Sequence, residues 1–191
     1  MHTDSKIIKG CKKGNKRCQH RLYKQYASAL LGISLRYCAS KEDAEDVLQE
    51  SFIKIYNNIN QLKNENSLFF WMRKIVINQA IRAMHNQRNY KSQILLKDDM
   101  LIDKTEVGHS IDNSSVDELL MLIQELPDGY RTVFNLIAID GYKHREIAEM
   151  LKINEGTSKS QYANAKKMLQ LKIQKKMIFE QELLEMNIQS S

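Results

Sequence analysis

A single proline, Pro127, interrupts this chain of 191 residues, and only seven glycines accompany it. Proline breaks a helix because it lacks the amide donor, and glycine loosens one, so a chain this poor in both can run in long helices. The same poverty argues against collagen-like, low-complexity and turn-rich all-β architectures. Apolar residues accordingly recur at helical spacing. Leu22, Tyr26, Leu30, Ile33 and Tyr37 mark an amphipathic helix from about residue 18 to 38. Ser40 opens S-K-E-D, a capping pattern with Asp43 at the third helical position. Ala44, Val47, Leu48, Phe52, Ile55 and Ile59 then form a buried stripe, with Asp43, Asp46, Gln49 and Glu50 on the polar side. Residues 57–66 (NNINQLKNEN) read as a loop, and a third helix follows from near Ser67 through Trp71, Ile75 and Ile81 to about Asn89.

The pattern lapses between about 92 and 115, where Asp98, Asp99, Asp103, Gly108 and N-S-S predict a linker, with a short helical piece around Ile94 to Leu101. Asp117 is placed to cap a helix carrying Leu119, Leu120, Ile123 and Leu126 that stops before Pro127. Helices at 129–139 and 144–151 come next, then a long one from Thr157 to about 175 with Tyr162, Ala165, Leu169 and Ile173 on one face. The reading is all-α: two small helical domains joined by a flexible acidic linker, the second a helix-turn-helix. The boundaries expected are 7–90, a linker at 91–115, 116–175, and a tail at 176–191.

Charge follows the same division. Residues 1–40 carry nine Lys/Arg against one acid, residues 67–97 six against none, and residues 129–176 ten against four. Residues 98–128 reverse the sign, with nine acids and one base. Basic surfaces flanking an acidic tether suit a polyanion held at two places, although a solvated helix face carries similar charge. Three cysteines cannot close into pairs, Met1 to Arg21 holds no apolar signal-peptide core, and no apolar run approaches the roughly 20 residues that span a bilayer. A cytoplasmic protein is expected. Cys11, Cys18 and His20 match no tight zinc spacing, so neither metal nor cofactor is expected. No nucleophile with a base, paired carboxylates or phosphate-cradling glycine loop is recognisable, so the chain is read as a non-enzyme without a small-molecule substrate.

The strongest local signal is R-E-I-A-E-M-L-K-I-N-E-G-T-S-K-S at 145–160. Ala148 sits where a second helix must approach closely, and Leu151 and Ile153 close the apolar core. Gly156 is read as the positive-φ residue of the turn and Thr157 as the cap of the recognition helix. That helix would read base edges with Thr157, Ser158, Lys159, Gln161 and Tyr162, and with Asn164, Lys166 and Lys167 further on. An ordinary helical hairpin with a glycine turn has the same spacing.

Taken together, three blocks resemble the extracytoplasmic-function (ECF) group of sigma factors in the sigma-70 family: S-K-E-D-A-E-D-V-L-Q-E-S-F-I-K-I-Y (40–56), F-F-W-M-R-K-I-V-I-N-Q-A (69–80), and L-P-D-G-Y-R-T-V-F through K-K-M-L (126–169). The resemblance covers roughly residues 7–175. It implies that Asp46, Gln49 and Glu50, at i, i+3 and i+4 on one helical face, dock on the clamp of core RNA polymerase. It implies that Asn60, Lys63 and Asn64 in the loop hold a flipped minus-ten base, and that Arg73, Lys74, Asn78 and Arg82 hold phosphates and neighbouring bases. Nearby Phe69, Phe70 and Trp71 could supply aromatic faces to unpaired bases or simply belong to the core, and Trp71 is read as core. The fourth region would bind minus-thirty-five promoter DNA, and the group implies a membrane-associated anti-sigma factor as a further partner. Departures fall at Arg82, His85, Lys143, Ser158, Gln161 and Asn164, residues that would face DNA or cap helices. The alternative is a dimeric helix-turn-helix regulator that acts without polymerase; block 40–56 would have no purpose there.

Overall fold

The computed structural model describes residues 2–95 and 115–189, with side chains described for 5–86, 118–179 and 181. Every regular element among them is helical: α1 (His2–Lys12), α2 (Lys16–Tyr37), α3 (Lys41–Asn58), α4 (Leu68–Leu95), α5 (Ser115–Gln124), α6 (Asp128–Phe134), α7 (His144–Leu151) and α8 (Glu155–Gln189), with 3-10 turns at Ile59–Gln61 and Glu65–Ser67 and a π turn at Asn135–Ile139. Helices α1–α4 make one compact unit and α5–α8 another. The linker expected at 91–115 lies largely outside the described residues, as does most of the helical piece near Ile94–Leu101.

In the first unit α2, α3 and α4 pack on one another and α1 closes against α2. Ser40 caps α3 as the pattern predicts, its Oγ accepting from the Asp43 amide at 3.1 Å. The predicted stripe of α3 is buried at all six positions. Helix α1 was not legible as a helix, because its lysines mask the pair Ile7–Ile8 and Cys11, all buried. Its close approach to α2 depends on Gly10: a Cβ there would stand 2.2 Å from Cys18 Sγ. Gly14 turns the chain with φ +73°, and Asn15 caps α2, its Oδ1 accepting from the amides of Arg17 and Cys18.

Two expectations change here. The asparagine-rich stretch is not a free loop: α3 continues to Asn58, and two 3-10 turns follow, pinned by buried Ile59 and Leu62. Helix α4 also runs past Asn89 to Leu95, and its deepest residues are Leu68, Met72, Val76, Ile77 and Ala80, while Trp71 and Ile75 are half-buried. The helix is therefore rotated from the predicted stripe by about one residue.

In the second unit the core gathers Ile123, Leu126, Ala165 and Leu169, with Tyr130, Phe134 and Met168 packed against it. Asp117 is not a cap, because α5 already begins at Ser115. The corner at Pro127 is held by Arg131, 5% exposed, whose guanidinium donates to Gln124 O and to Asp128 Oδ1, both at 2.9 Å. The expected helix at 129–139 loosens into the π turn, which ends with the Asp140 amide on Asn135 O at 2.9 Å. Helix α7 has the bounds the sequence predicts.

Candidate nucleic-acid and polymerase interfaces

On α3, Asp46, Gln49 and Glu50 are all exposed, as their spacing dictates once Ala44, Val47 and Leu48 are buried. Glu50 is not a free carboxylate. Its Oε2 accepts a 2.7 Å hydrogen bond from Gln79 Nε2 of α4, and Gln79 Oε1 in turn accepts from Lys54 Nζ. Gln79 is only 4% exposed, so its carboxamide spends both hydrogen-bonding ends on the α3 face. Sequence reading missed Gln79. Its one signal is a carboxamide set within the apolar run Val76, Ile77, Ala80, Ile81.

The turn between α3 and α4 carries Asn60, Lys63 and Asn64, all exposed, on a hydrogen-bonded support. Asn64 Oδ1 accepts from the Asn66 amide at 3.0 Å, Ser67 Oγ donates to Asn64 O at 2.7 Å, and Gln61 Nε2 donates to Asn58 Oδ1 at 2.9 Å. Lys12 Nζ reaches across from α1 to Leu62 O at 3.3 Å. The segment leads directly into α4, where Lys74, Asn78 and Arg82 are exposed at i, i+4 and i+8, and Arg73 is half-buried beside them. Phe70 falls on that same stripe and is 66% exposed, so of the two readings open for it the core one does not hold. Phe69 turns inward instead and stacks on Tyr26 at 6.2 Å.

The helix-turn-helix differs from the sequence expectation in its phase. The left-handed residue is Lys152, φ 54°, which ends α7, and Gly156 lies in the first turn of α8. Because the Ser158 amide bonds to Asn154 O at 3.1 Å, α8 starts two residues before Thr157, and Thr157 is inside the helix rather than its cap. Ser158 therefore faces inward: it is fully buried, and its Oγ shares a 3.0 Å hydrogen bond with His144 Nδ1 of α7. Ser158 is not a surface reader of bases. Tyr162 is half-buried between Phe134 at 6.0 Å and His144 at 6.1 Å, with Lys166 Nζ 4.9 Å from its ring centroid. Gln161, also half-buried, lies against Gly129. Thr157 is half-buried, whereas Lys159 and Lys166 are exposed. Lys159 pairs with Glu155 at 2.7 Å, and that ammonium holds the Glu155 carboxyl below its ordinary range. The outward stripe of α8 is thus Gly156, Ser160, Ala163 and Lys167, bordered by Lys159, and three of these were missed. The signal was available: Ser158, Tyr162, Ala165 and Leu169 recur at spacings of four, three and four, which is an inward face.

Among the described residues no group of His, Cys, Asp and Glu is arranged to hold a metal ion, and no helix is long and apolar enough to cross a membrane. Cys11 is buried, and burial together with Cys18 pushes its thiol up to about 11, which suppresses thiolate chemistry.

A compact helical unit with an ordered polar loop, joined in sequence to a helix-turn-helix unit, defines a DNA-binding protein of two unlike surfaces. The sigma-70 region 2 family model matches residues 22–90 and the sigma-70, region 4 model residues 117–169, well over half the chain between them. The ECF RNA polymerase sigma-E factor of Haemophilus influenzae is 28% identical over 184 residues, spanning 90% of this chain and 96% of that one. The RNA polymerase sigma-H factor of Pseudomonas aeruginosa is 25% identical over 187 residues, spanning 91% and 95%. A solved sigma factor, RpoE of Bartonella quintana in complex with the anti-sigma factor NepR, shares the fold with a TM-score of 0.57 at 17% identity, over 81% of this chain and 96% of that one. The chain belongs to the sigma-70 family of RNA polymerase sigma factors, in its ECF group.

Proposed function

We propose that this sigma factor docks on core RNA polymerase through Asp46, Gln49 and Glu50 of α3, and that the loop and α4 engage the minus-ten element while α8 engages the minus-thirty-five element. Sigma factors are non-enzymatic initiation factors, so the chemistry of RNA synthesis belongs to the polymerase. The observation that carries the reading is the run from the pinned loop into α4. Asn60, Lys63 and Asn64 offer polar edges on a hydrogen-bonded support, and Phe70, Lys74, Asn78 and Arg82 continue as one outward stripe. An unpaired base needs both an edge partner and an aromatic face, and a backbone needs cations beside them. Phe70 supplies the aromatic face.

On α8 the contacts fall to Lys159, Ser160, Ala163, Lys166 and Lys167, with Tyr162, Gln161 and Ser158 holding the helix in place behind them. An anti-sigma factor is the regulatory partner we assign, by analogy with the complex of the Bartonella protein. Run-off transcription with core polymerase on a library of promoter fragments tests the whole reading. Defined start sites should appear only with the protein and disappear with Asp46→Ala/Gln49→Ala/Glu50→Ala. Tight binding to duplex DNA without any polymerase-dependent start would overturn it.

A further inference from the structure

The most basic part of the chain has no role in the interfaces above. Between Ser5 and Lys41 there is no acidic residue, and Lys9, Lys13, Lys16, Arg17, Arg21 and Lys24 are all exposed on α1, α2 and the turn between them. Arg17, Arg21 and Lys24 lie at i, i+4 and i+7, one stripe of α2. Like charges one turn apart disfavour a helix, and cations in the first turn oppose its dipole, so Lys16 and Arg17 at the start of α2 do not serve folding. Several cations elsewhere sit beside a carboxylate: Lys41 pairs with Glu45, Arg145 with Glu149, Lys159 with Glu155 and Lys172 with Glu125. Among the described residues no carboxylate pairs with the six on α1 and α2.

Their position gives the charge a partner. Helix α1 packs against both 3-10 turns of the loop, and Lys12, within this basic segment, bonds directly to Leu62 O between Asn60 and Asn64. A strand whose base is held by that loop would find the α1–α2 corner beside it for its phosphates. We propose that this corner is a phosphate-binding track for promoter DNA adjoining the minus-ten element, an inference that rests on the assignment of the loop to that element. It contributes affinity and not sequence choice, since lysine and arginine on phosphates read no base.

The test is the salt dependence of promoter binding by the holoenzyme formed with Lys13→Gln/Arg17→Gln/Arg21→Gln/Lys24→Gln. Each lost phosphate contact lowers the slope of log affinity against log salt by about 0.7 to 0.9, so the four-fold variant should lose about three. Affinity at physiological salt should fall at least about tenfold, with binding to core polymerase unchanged. An unchanged slope overturns the track, and so does a loss confined to core binding, which would place the corner against the polymerase. Asn60→Ala/Asn64→Ala serves as the control. If that pair also leaves promoter binding intact, the loop assignment itself has failed; if it weakens binding while the charge variant does not, only the track has.

Discussion

Replacing Gln79 by methionine keeps the volume of a buried side chain while removing both its hydrogen bonds. The melting temperature of Gln79→Met should stay within a few degrees of the parent. Affinity for core polymerase should fall about two- to tenfold, the cost of ordering one flexible side chain, Glu50, at the interface. A binding titration in the Glu50→Ala background checks the cause, because there Gln79→Met should have no further effect. Two other residues set an alkaline limit. Cys11 is raised from 9.0 to about 11 by burial and Cys18, and Tyr56 from 10.0 to about 12 by burial and the neighbouring Cys11 and Tyr23. Both folded values lie above the unfolded ones, so their contribution is whole below pH 9 and fades as pH climbs from 9 to 12. Urea midpoints should drop across that window, less steeply in Cys11→Ala. None of this was legible in the sequence, since burial of a carboxamide, a thiol or a phenol is decided by what packs over it.

Helix α7 and its turn show where element-level reading succeeds and where it stops. Ile147, Ala148 and Leu151 mark the helix in the sequence, because periodicity is a local property, and the structure adds the Glu146 carboxylate accepting from the Lys143 amide at its start. The left-handed residue was misplaced at Gly156 because glycine is the usual occupant of such a conformation, whereas here it is Lys152. A lysine there carries a steric cost, so Lys152→Gly should stabilise the unit by about 1 kcal/mol, read as a rise of a few degrees in melting temperature. The phase of α8 then separates two outcomes. Ser158→Val should leave promoter selectivity unchanged while altering stability, since that side chain is enclosed. Lys159→Ala should weaken minus-thirty-five binding in a gel-shift assay by several-fold while leaving the fold alone. Phe70→Ala should likewise preserve stability, because the ring is 66% exposed, yet reduce promoter opening measured by permanganate footprinting about five- to a hundredfold, the worth of one stacked base.

At the scale of the whole molecule, two DNA-binding surfaces on one chain imply a promoter with two elements at a set distance. Inserting five base pairs between them turns one element half a helical turn, about 180°, away from the other, and run-off transcription should fall at least about tenfold. The two-unit plan was readable from charge alternation and from the lapse of periodicity after about residue 92. The three blocks at 40–56, 69–80 and 126–169 made the family readable too, since each combines a helical stripe with a particular polar face. Less readable was the N-terminal helix α1, whose burial comes from contact with α2 and the loop rather than from its own pattern. The inward and outward faces of α8 carry a longer consequence. Folding claims Ser158, Tyr162, Ala165 and Leu169, and makes no demand on Gly156, Ser160, Ala163 or Lys167. Selection can therefore rewrite the stripe proposed to meet the minus-thirty-five element without endangering the protein that bears it, and on that assignment a duplicated copy of the gene is a few codons away from commanding a different set of genes.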